Sequence, residues 1–375
     1  MRLLYAFPEP LPLDRARGIQ SIHTVAALAR TGMTVDLAYV PAGDNPFLHY
    51  GVEQPAGVVL APVSRSLPWP LARVHSNRIF SWRLSRRFES HLEVGITVVR
   101  HVKLAAWLAA RGARFVYEAH EVFADTAPKG KSSRRRAEEA AVIRGASAII
   151  ANSAATAQRL RELYGAPRLL EVIPNGVARP DRMAPKDWQQ AHRHIVYAGS
   201  FFPWKGVSDL MEAARSMPGA RIELLGGDPE QGDRIAGDSP AGDTSASGAQ
   251  VVLRGRLPHA AVAERLASAC IAVLPNRADP DSVFTSPIKL FEYMAAGCAI
   301  VASDLPALRE ILAEDEAVWT TPGDPASLAA GIVRLAADPD RARRLGEAVR
   351  EKSKQFTWDA RASRLKAVLH RLEKT

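Results

Sequence analysis

Cysteine is nearly missing from the sequence. The only two, Cys270 and Cys298, both lie inside apolar runs. That excludes a disulfide framework or a cysteine zinc cluster and suits a reducing compartment. No window approaches 18 uninterrupted apolar residues, so nothing reads as a membrane-crossing helix. The strand-like start, Leu3 to Phe7, runs into prolines and carries no signal-peptide pattern. The turn after it, PEPLPLDRARG, lacks G-x-G-x-x-G, which argues against a bound NAD or FAD. Acid is outnumbered: 40 Asp and Glu stand against 49 Lys and Arg, a net charge of +9. The excess implies affinity for phosphates, nucleic acid or an anionic membrane surface. The expectation is a soluble cytoplasmic protein able to sit peripherally at the inner face of a membrane.

What is present suits an ordinary globular chain, with 47% apolar and 24% charged residues. At 375 residues the chain exceeds one ordinary core, so two domains are expected. Short β-branched runs alternate with helix-length segments. Strands are predicted at Leu3–Phe7, Thr34–Val40, Val58–Ala61, Ile96–Arg100, Arg114–Glu118 and Ala148–Asn152. Helices are predicted at Gly18–Arg30, Lys103–Arg111 and Ser153–Tyr164. A second series has strands at Ile195–Ala198, Arg221–Leu225, Val251–Arg254, Ile271–Leu274, Ala299–Ala302 and Ala317–Thr320. Its helices are Val207–Ser216, His259–Ala269 and Pro287–Ala296. Such alternation gives an α/β fold of two Rossmann-like halves on parallel sheets. A polar segment, Arg179 to His192, joins them, and a cleft between the halves is the expected ligand site. Asp238 to Ala249 reads as a surface loop.

The chain is organised around TSPIKLFEYMAAGCAIVAS, Thr285 to Ser303. Ser286 is placed as N-cap and Pro287 at the first helical position. Ile288, Leu290, Phe291, Met294 and Ala295 share one arc, and Lys289 and Glu292 the opposite one. Gly297 suits a left-handed C-cap before a buried strand. Two readings stand side by side: a capped amphipathic helix with a surface Lys–Glu pair, or a helix N-terminus offered to a phosphate, with Glu292 accepting from a sugar's vicinal hydroxyls. Other motifs sit at strand ends. Tyr117 to Phe123, YEAHEVF, puts His120 and Glu121 past a strand, where a histidine is either structural or an active-site group. VIPNGV, Val172 to Val177, is a strand entering an Asn-Gly turn. VYAGSFFPWKG, Val196 to Gly206, carries Ser200 in the turn and Lys205 at the next helix start, either an exposed lysine or a point charge for a pyrophosphate. Arg254 and Arg256 flank another strand end. Arg15, Arg17 and Gly18 precede a helix start where an anion can be held.

Together, and in this order, these strings resemble the family 4 retaining glycosyltransferases of the GT-B fold, within a subgroup carrying S-P-x-K-x-x-E-Y-M-A. The resemblance runs from about residue 117 to 303. It implies an acceptor-binding N-terminal domain (1–178), a nucleotide-sugar-binding C-terminal domain (179–356) and a terminal helix (357–375) crossing back to the first. By the same resemblance Lys205 holds the donor diphosphate, Glu292 binds the ribose hydroxyls and His120 lies beside the transferred sugar. Gly18, Ser200, Arg256, Ser286, Pro287, Ile288 and Lys289 complete the donor-binding set, with Arg15 and Arg17 on the acceptor side. Two positions depart from the family: Ser200 stands where an arginine is common, and Phe284 where the first of two glutamates, eight apart, is usual. Lys289 and the amides from Thr285 to Ile288 are candidates to make up the difference. The implied front-face reaction needs no protein nucleophile. No cofactor or metal is expected, because Lys205 and a helix N-terminus can neutralise the leaving diphosphate. The D-x-D strings Asp279-Pro-Asp281 and Asp338-Pro-Asp340 carry little meaning.

The basic excess concentrates in Arg65 to His91, where Arg83, Arg86 and Arg87 lie among Trp69, Phe80, Trp82 and Phe88. It reads either as a solvated surface with packed aromatics or as a patch for anionic lipid near a saccharide or lipid-linked acceptor. A second basic stretch, Lys129 to Arg136, reads as a loop. A nucleic-acid-binding module is the rival from another class, but no binding motif supports it, and no nucleic-acid partner is expected. A nucleotide-sugar epimerase or hydrolase on the same fold is the other alternative.

Overall fold

The computed structural model describes residues 1–13, 15–69, 73–126, 132–180, 185–227, 248–279 and 286–374. Thr285, Phe284, Asp281, Lys129 to Lys131 and residues 238–247 of the expected loop lie outside the described residues.

The chain forms two compact units. One contains Met1–Gly176 and Trp358–Thr375, the other Val177–Thr357. In the first unit every strand pairing is parallel, and the sheet order is β3-β2-β1-β4-β5-β6-β7. The strands are β1 (Arg2–Leu11), β2 (Thr34–Pro41), β3 (Val58–Pro62), β4 (Thr97–Val99), β5 (Phe115–Ala119), β6 (Ala148–Ala151) and β7 (Leu170–Val172). The last replaces the strand expected from Val172 onward. Pro174 has no N–H to give a ladder, so pairing ends at Val172 and the VIPNGV string continues as loop. Helix α1 (Ala16–Arg30) packs on β1 and β2 and begins two residues before the predicted Gly18. Further along lie α2 (Asn77–Arg87), α3 (Val102–Ala110) and α4 (Ala154–Tyr164), the last capped by the Ser153 hydroxyl. The basic stretch expected as a loop is helical from Ser132, within Ser132–Gly145.

The second unit is again all parallel, in the order β10-β9-β8-β11-β12-β13. Its strands are β8 (Ile195–Ala198), β9 (Arg221–Leu225), β10 (Gln250–Gly255), β11 (Ile271–Leu274), β12 (Ala299–Ser303) and β13 (Val318–Thr320). Helices on both faces bury these runs, which is why they are continuously apolar rather than alternating. The helices used below are α5 (Val207–Ala214), α6 (His259–Ser268), α7 (Ile288–Ala295), α8 (Pro325–Ala336) and α9 (Pro339–Lys352). Sequence order reverses between β8 and β11, so the crevice beyond their carboxyl ends is where this class of sheet takes a ligand.

The chain then returns to the first unit as α10 (Trp358–Glu373). Trp358 stacks on His23 at 5.2 Å, Arg30 pairs with Asp359 at 2.7 Å, and Lys366 Nζ donates to the Thr31 carbonyl at 2.6 Å. Arg361 reaches deepest. It donates to Glu118, which is buried on β5 and also accepts from the Tyr5 hydroxyl at 2.7 Å.

Candidate functional site

The site in the second unit is built on α7. Leu290, Phe291, Met294 and Ala295 are buried as predicted, and Tyr293 fixes the helix to the sheet. Its hydroxyl accepts from the Ala198 amide at 2.7 Å, at the last residue of β8. The cap differs from expectation. Pro287 is the N-cap, with φ of −72°, and its own side chain gives no cap. Ser286 is buried one residue before it.

The opposite arc of α7 also departs from expectation, because Lys289 and Glu292 do not form a surface pair. Lys289 is only 9% exposed. Its Nζ lies 4.3 Å from the Tyr197 ring centroid and has no hydrogen-bond partner among the described residues. Burial pushes the ammonium well below the usual lysine range; Lys205 acts in the same direction and Glu292 against it. Glu292 Oε1 instead accepts from His259 Nε2, at 2.9 Å. The wheel was right about the arc, but not about what covers it.

Lys205 reaches this place from a 3-10 turn, Pro203–Lys205, directly before α5. Its Nζ sits 3.6 Å over the Trp204 ring, a cation–π contact that holds the charge without neutralising it. Gly206, with φ of 68°, is required here: a Cβ would come within 1.7 Å of the Pro275 carbonyl oxygen beyond β11. Ser200 follows β8, its carbonyl accepting from the Tyr197 hydroxyl at 2.7 Å. Arg256 is exposed just past β10. Arg254, expected beside it, is occupied elsewhere, donating to Glu223 on the neighbouring strand at 3.0 Å. Asp338 of the second D-x-D caps α9, accepting from the Arg341 amide at 2.9 Å.

In the first unit His120 follows β5. Its carbonyl accepts from Asn152, and its Nε2 is buried with no partner among the described residues. Burial, then the charges of Arg100 and Arg361, push the imidazole well below its ordinary range, so it is neutral at physiological pH. Gly18 lies in the first turn of α1, where a Cβ would meet the Tyr50 hydroxyl at 2.2 Å. That hydroxyl donates to the Leu13 carbonyl and accepts from the Leu13 amide, lacing the turn before the helix. Arg15 is the exposed N-cap residue, whereas Arg17 is committed to an ion pair with Glu9.

The family model described as glycosyl transferases group 1 matches residues 192–338, and that described as Glycosyltransferase Family 4 matches residues 20–179. The chain is of the family 4 glycosyltransferase type. D-inositol 3-phosphate glycosyltransferase 1 of Catenulispora acidiphila is 29% identical to it over 258 residues, spanning 62% of this chain and 59% of that relative. Sucrose-phosphate synthase of Thermosynechococcus elongatus has a similar fold, with a TM-score of 0.77 at 19% identity and full coverage of both chains. Anabaena HepE, solved with UDP-glucose, matches with a TM-score of 0.71 at 18% identity, again over both whole chains. These two likenesses concern the GT-B fold.

In this family 4 type chain the basic surface of the first unit is only partly open. Arg83 donates to the Ser64 carbonyl at 3.4 Å and Arg87 to the Pro62 carbonyl at 2.9 Å, tying α2 to the end of β3. Arg86 lies over the exposed Trp82, and Trp69 is 88% exposed between Ser66 and His75, which bridge to each other. No helix among the described residues is long and apolar enough to cross a membrane. Two contributors escaped the sequence reading: His259 against Glu292, and the Glu118–Arg361 pair under His120. A histidine opening a helix directly after Pro258 was the one trace of the first. The second joins residues 243 apart and left none.

Proposed function

We propose that this chain is a retaining glycosyltransferase of the S-P-x-K-x-x-E-Y-M-A subgroup. It moves a sugar from a nucleotide-diphosphate sugar to an acceptor hydroxyl, in the synthesis of a cell-surface polysaccharide or glycolipid. The observation that carries the reading is Lys289, a buried amine with no hydrogen-bond partner among the described residues, beside Lys205 at the sheet's switch point. Burying such a charge unpaired is costly, and a diphosphate would supply the missing counter-charge. A related fold solved with UDP-glucose supports a donor of this class.

In this reading Lys205, Lys289 and the first-turn amides of α7, at Ile288 and Lys289, receive the charge that builds on the departing diphosphate. The bond from the anomeric carbon to the diphosphate oxygen breaks. The acceptor oxygen bonds to the same face, and its proton leaves on the released phosphate. Glu292 holds the ribose hydroxyls and Arg256 lies toward the nucleoside. Ser200 and Gly18 line the donor, Arg15 and Arg17 lie on the acceptor side, and neutral His120 offers its open Nε2 to the transferred sugar. No metal takes part. The exposed tryptophans and arginines of the first unit meet the anionic membrane that carries a lipid-linked acceptor.

The test uses UDP-glucose and GDP-mannose as donors, with calorimetry for binding and nucleotide release for turnover. Lys205→Ala and Glu292→Gln each weaken donor binding by about ten- to a hundredfold, one charge-assisted hydrogen bond being worth roughly 1.5–3 kcal/mol. Chelator leaves the rate unchanged, and the product keeps the donor's anomeric configuration. Folded variants with wild-type binding would refute the assignment.

A further inference from the structure

His259 is the first residue of α6, following Pro258 at the N-cap. That position turns its ring toward α7, where Nε2 meets Glu292 Oε1 at 2.9 Å. The two side chains are 34% and 17% exposed, so the pair sits at a rim rather than in bulk water. Together with Val177, Val262, Leu266, Ala295 and Ala296, the pair lines a mostly apolar cavity of about 60 Å³. Both side chains are partly shielded from water, which strengthens their hydrogen bond relative to an exposed one.

We propose that His259 is the positioning residue for Glu292. As a neutral ring it donates Nε2–H to Oε1, leaving Oε2 to accept from the donor's ribose hydroxyls. When protonated it draws the carboxylate into an ion pair that competes with the nucleoside. The inference rests on the reading of Glu292 given above.

A glutamate at mid-helix has a long side chain with several rotamers. Binding a vicinal diol with one carboxylate requires that it be held in one of them beforehand. Tying one oxygen does this, and leaves the second oxygen and the remaining lone pair of the first. A cationic donor adds Coulomb attraction to the hydrogen bond it gives a carboxylate, and so weakens the carboxylate as an acceptor for a third group. The hydrogen bond to Glu292 raises His259 above its ordinary 6.5, although burial opposes this. Charged groups of the surrounding elements do not displace Glu292 from this role. On α7, Lys289 acts on Glu292, with Lys205 beside it. On α6, Arg265 lies near Glu223, and Glu264 is exposed. Lys186 donates to the Leu266 and Ala267 carbonyls at the far end of that helix. Arg256 precedes the pair on the loop, and Arg179 neighbours Glu351.

The full chain is titrated with UDP, GDP and inorganic pyrophosphate across the range from acid to mildly alkaline pH. Pyrophosphate corrects for protonation of the phosphates themselves. In the wild type the tighter nucleotide loses affinity relative to pyrophosphate as pH falls through a midpoint above 6.5. His259→Gln keeps an N–H donor but cannot take up a proton; it retains alkaline affinity and loses that relative pH dependence. His259→Ala binds nucleotide about tenfold more weakly with pyrophosphate unchanged. Circular dichroism checks that each variant folds. Parallel pH profiles for wild type and His259→Gln, or wild-type nucleotide affinity in His259→Ala, overturn the role of His259 alone. A wild type that binds neither UDP nor GDP overturns the donor reading itself, and this inference with it.

Discussion

If Lys289 serves the donor as proposed, it sets stability and function in opposition within one side chain. Its ammonium is buried without a hydrogen-bond partner among the described residues, held by the Tyr197 face and repelled by Lys205. Lys289→Met keeps the unbranched apolar stem, one atom shorter, and removes the charge. We expect the variant to be more stable, by about 1–3 kcal/mol in urea unfolding, because an uncompensated buried group has gone. We expect donor affinity to fall by about tenfold or more in the same protein. Changes in that pair of directions would mark a residue kept for its ligand rather than its fold. Lower stability with unchanged affinity would make Lys289 a packing residue.

At the scale of the element, the core strands were legible because they are simple. β8, β9 and β11 fall at the predicted residues, each a short apolar run between turn signals and covered on both faces. β7 was displaced, being a three-residue strand whose boundary depends on where Pro174 interrupts pairing. On α7 the periodicity identified the buried arc, yet it could not reveal that the Lys205 turn and α6 close over the other side. Pairing across elements has no period to read. The Arg361–Glu118 contact is the clearest case, since α10 carries its charge into the sheet of the first unit. Arg361 also donates to the Ile173 and Pro174 carbonyls. Arg361→Met therefore leaves a buried carboxylate without its partner, and such losses cost roughly 3–5 kcal/mol. We expect a matching drop in unfolding free energy. Combining it with Glu118→Gln should recover part of the loss, and a double variant no better than the single would contradict the pairing.

For the molecule as a whole, the net charge of +9 does not translate directly into a membrane face. Arg83 and Arg87 each hold one N–H on a backbone carbonyl, which fixes their side chains against the end of β3, so Arg86 and the exposed Trp82 and Trp69 are the stronger candidates for lipid contact. Replacing Arg86 with Ser and Trp82 with Ala should weaken binding to phosphatidylglycerol vesicles by about tenfold. One basic side chain near the surface is worth about 1 kcal/mol, and an interfacial tryptophan adds to it. Cosedimentation that does not distinguish wild type from the double variant would remove this surface from consideration.

The return of α10 also has a consequence for synthesis. A ribosome delivers the first seven strands early, then the whole of the second unit, and only afterwards the residues from Trp358 onward. The second unit can close while the first still waits for Arg361 to meet Glu118 and for Trp358 to cover His23. During that interval the earlier unit holds a carboxylate without its counter-ion and an uncovered face of α1. A message cut just before codon 358 would strand it there, as a substrate for chaperones and proteases.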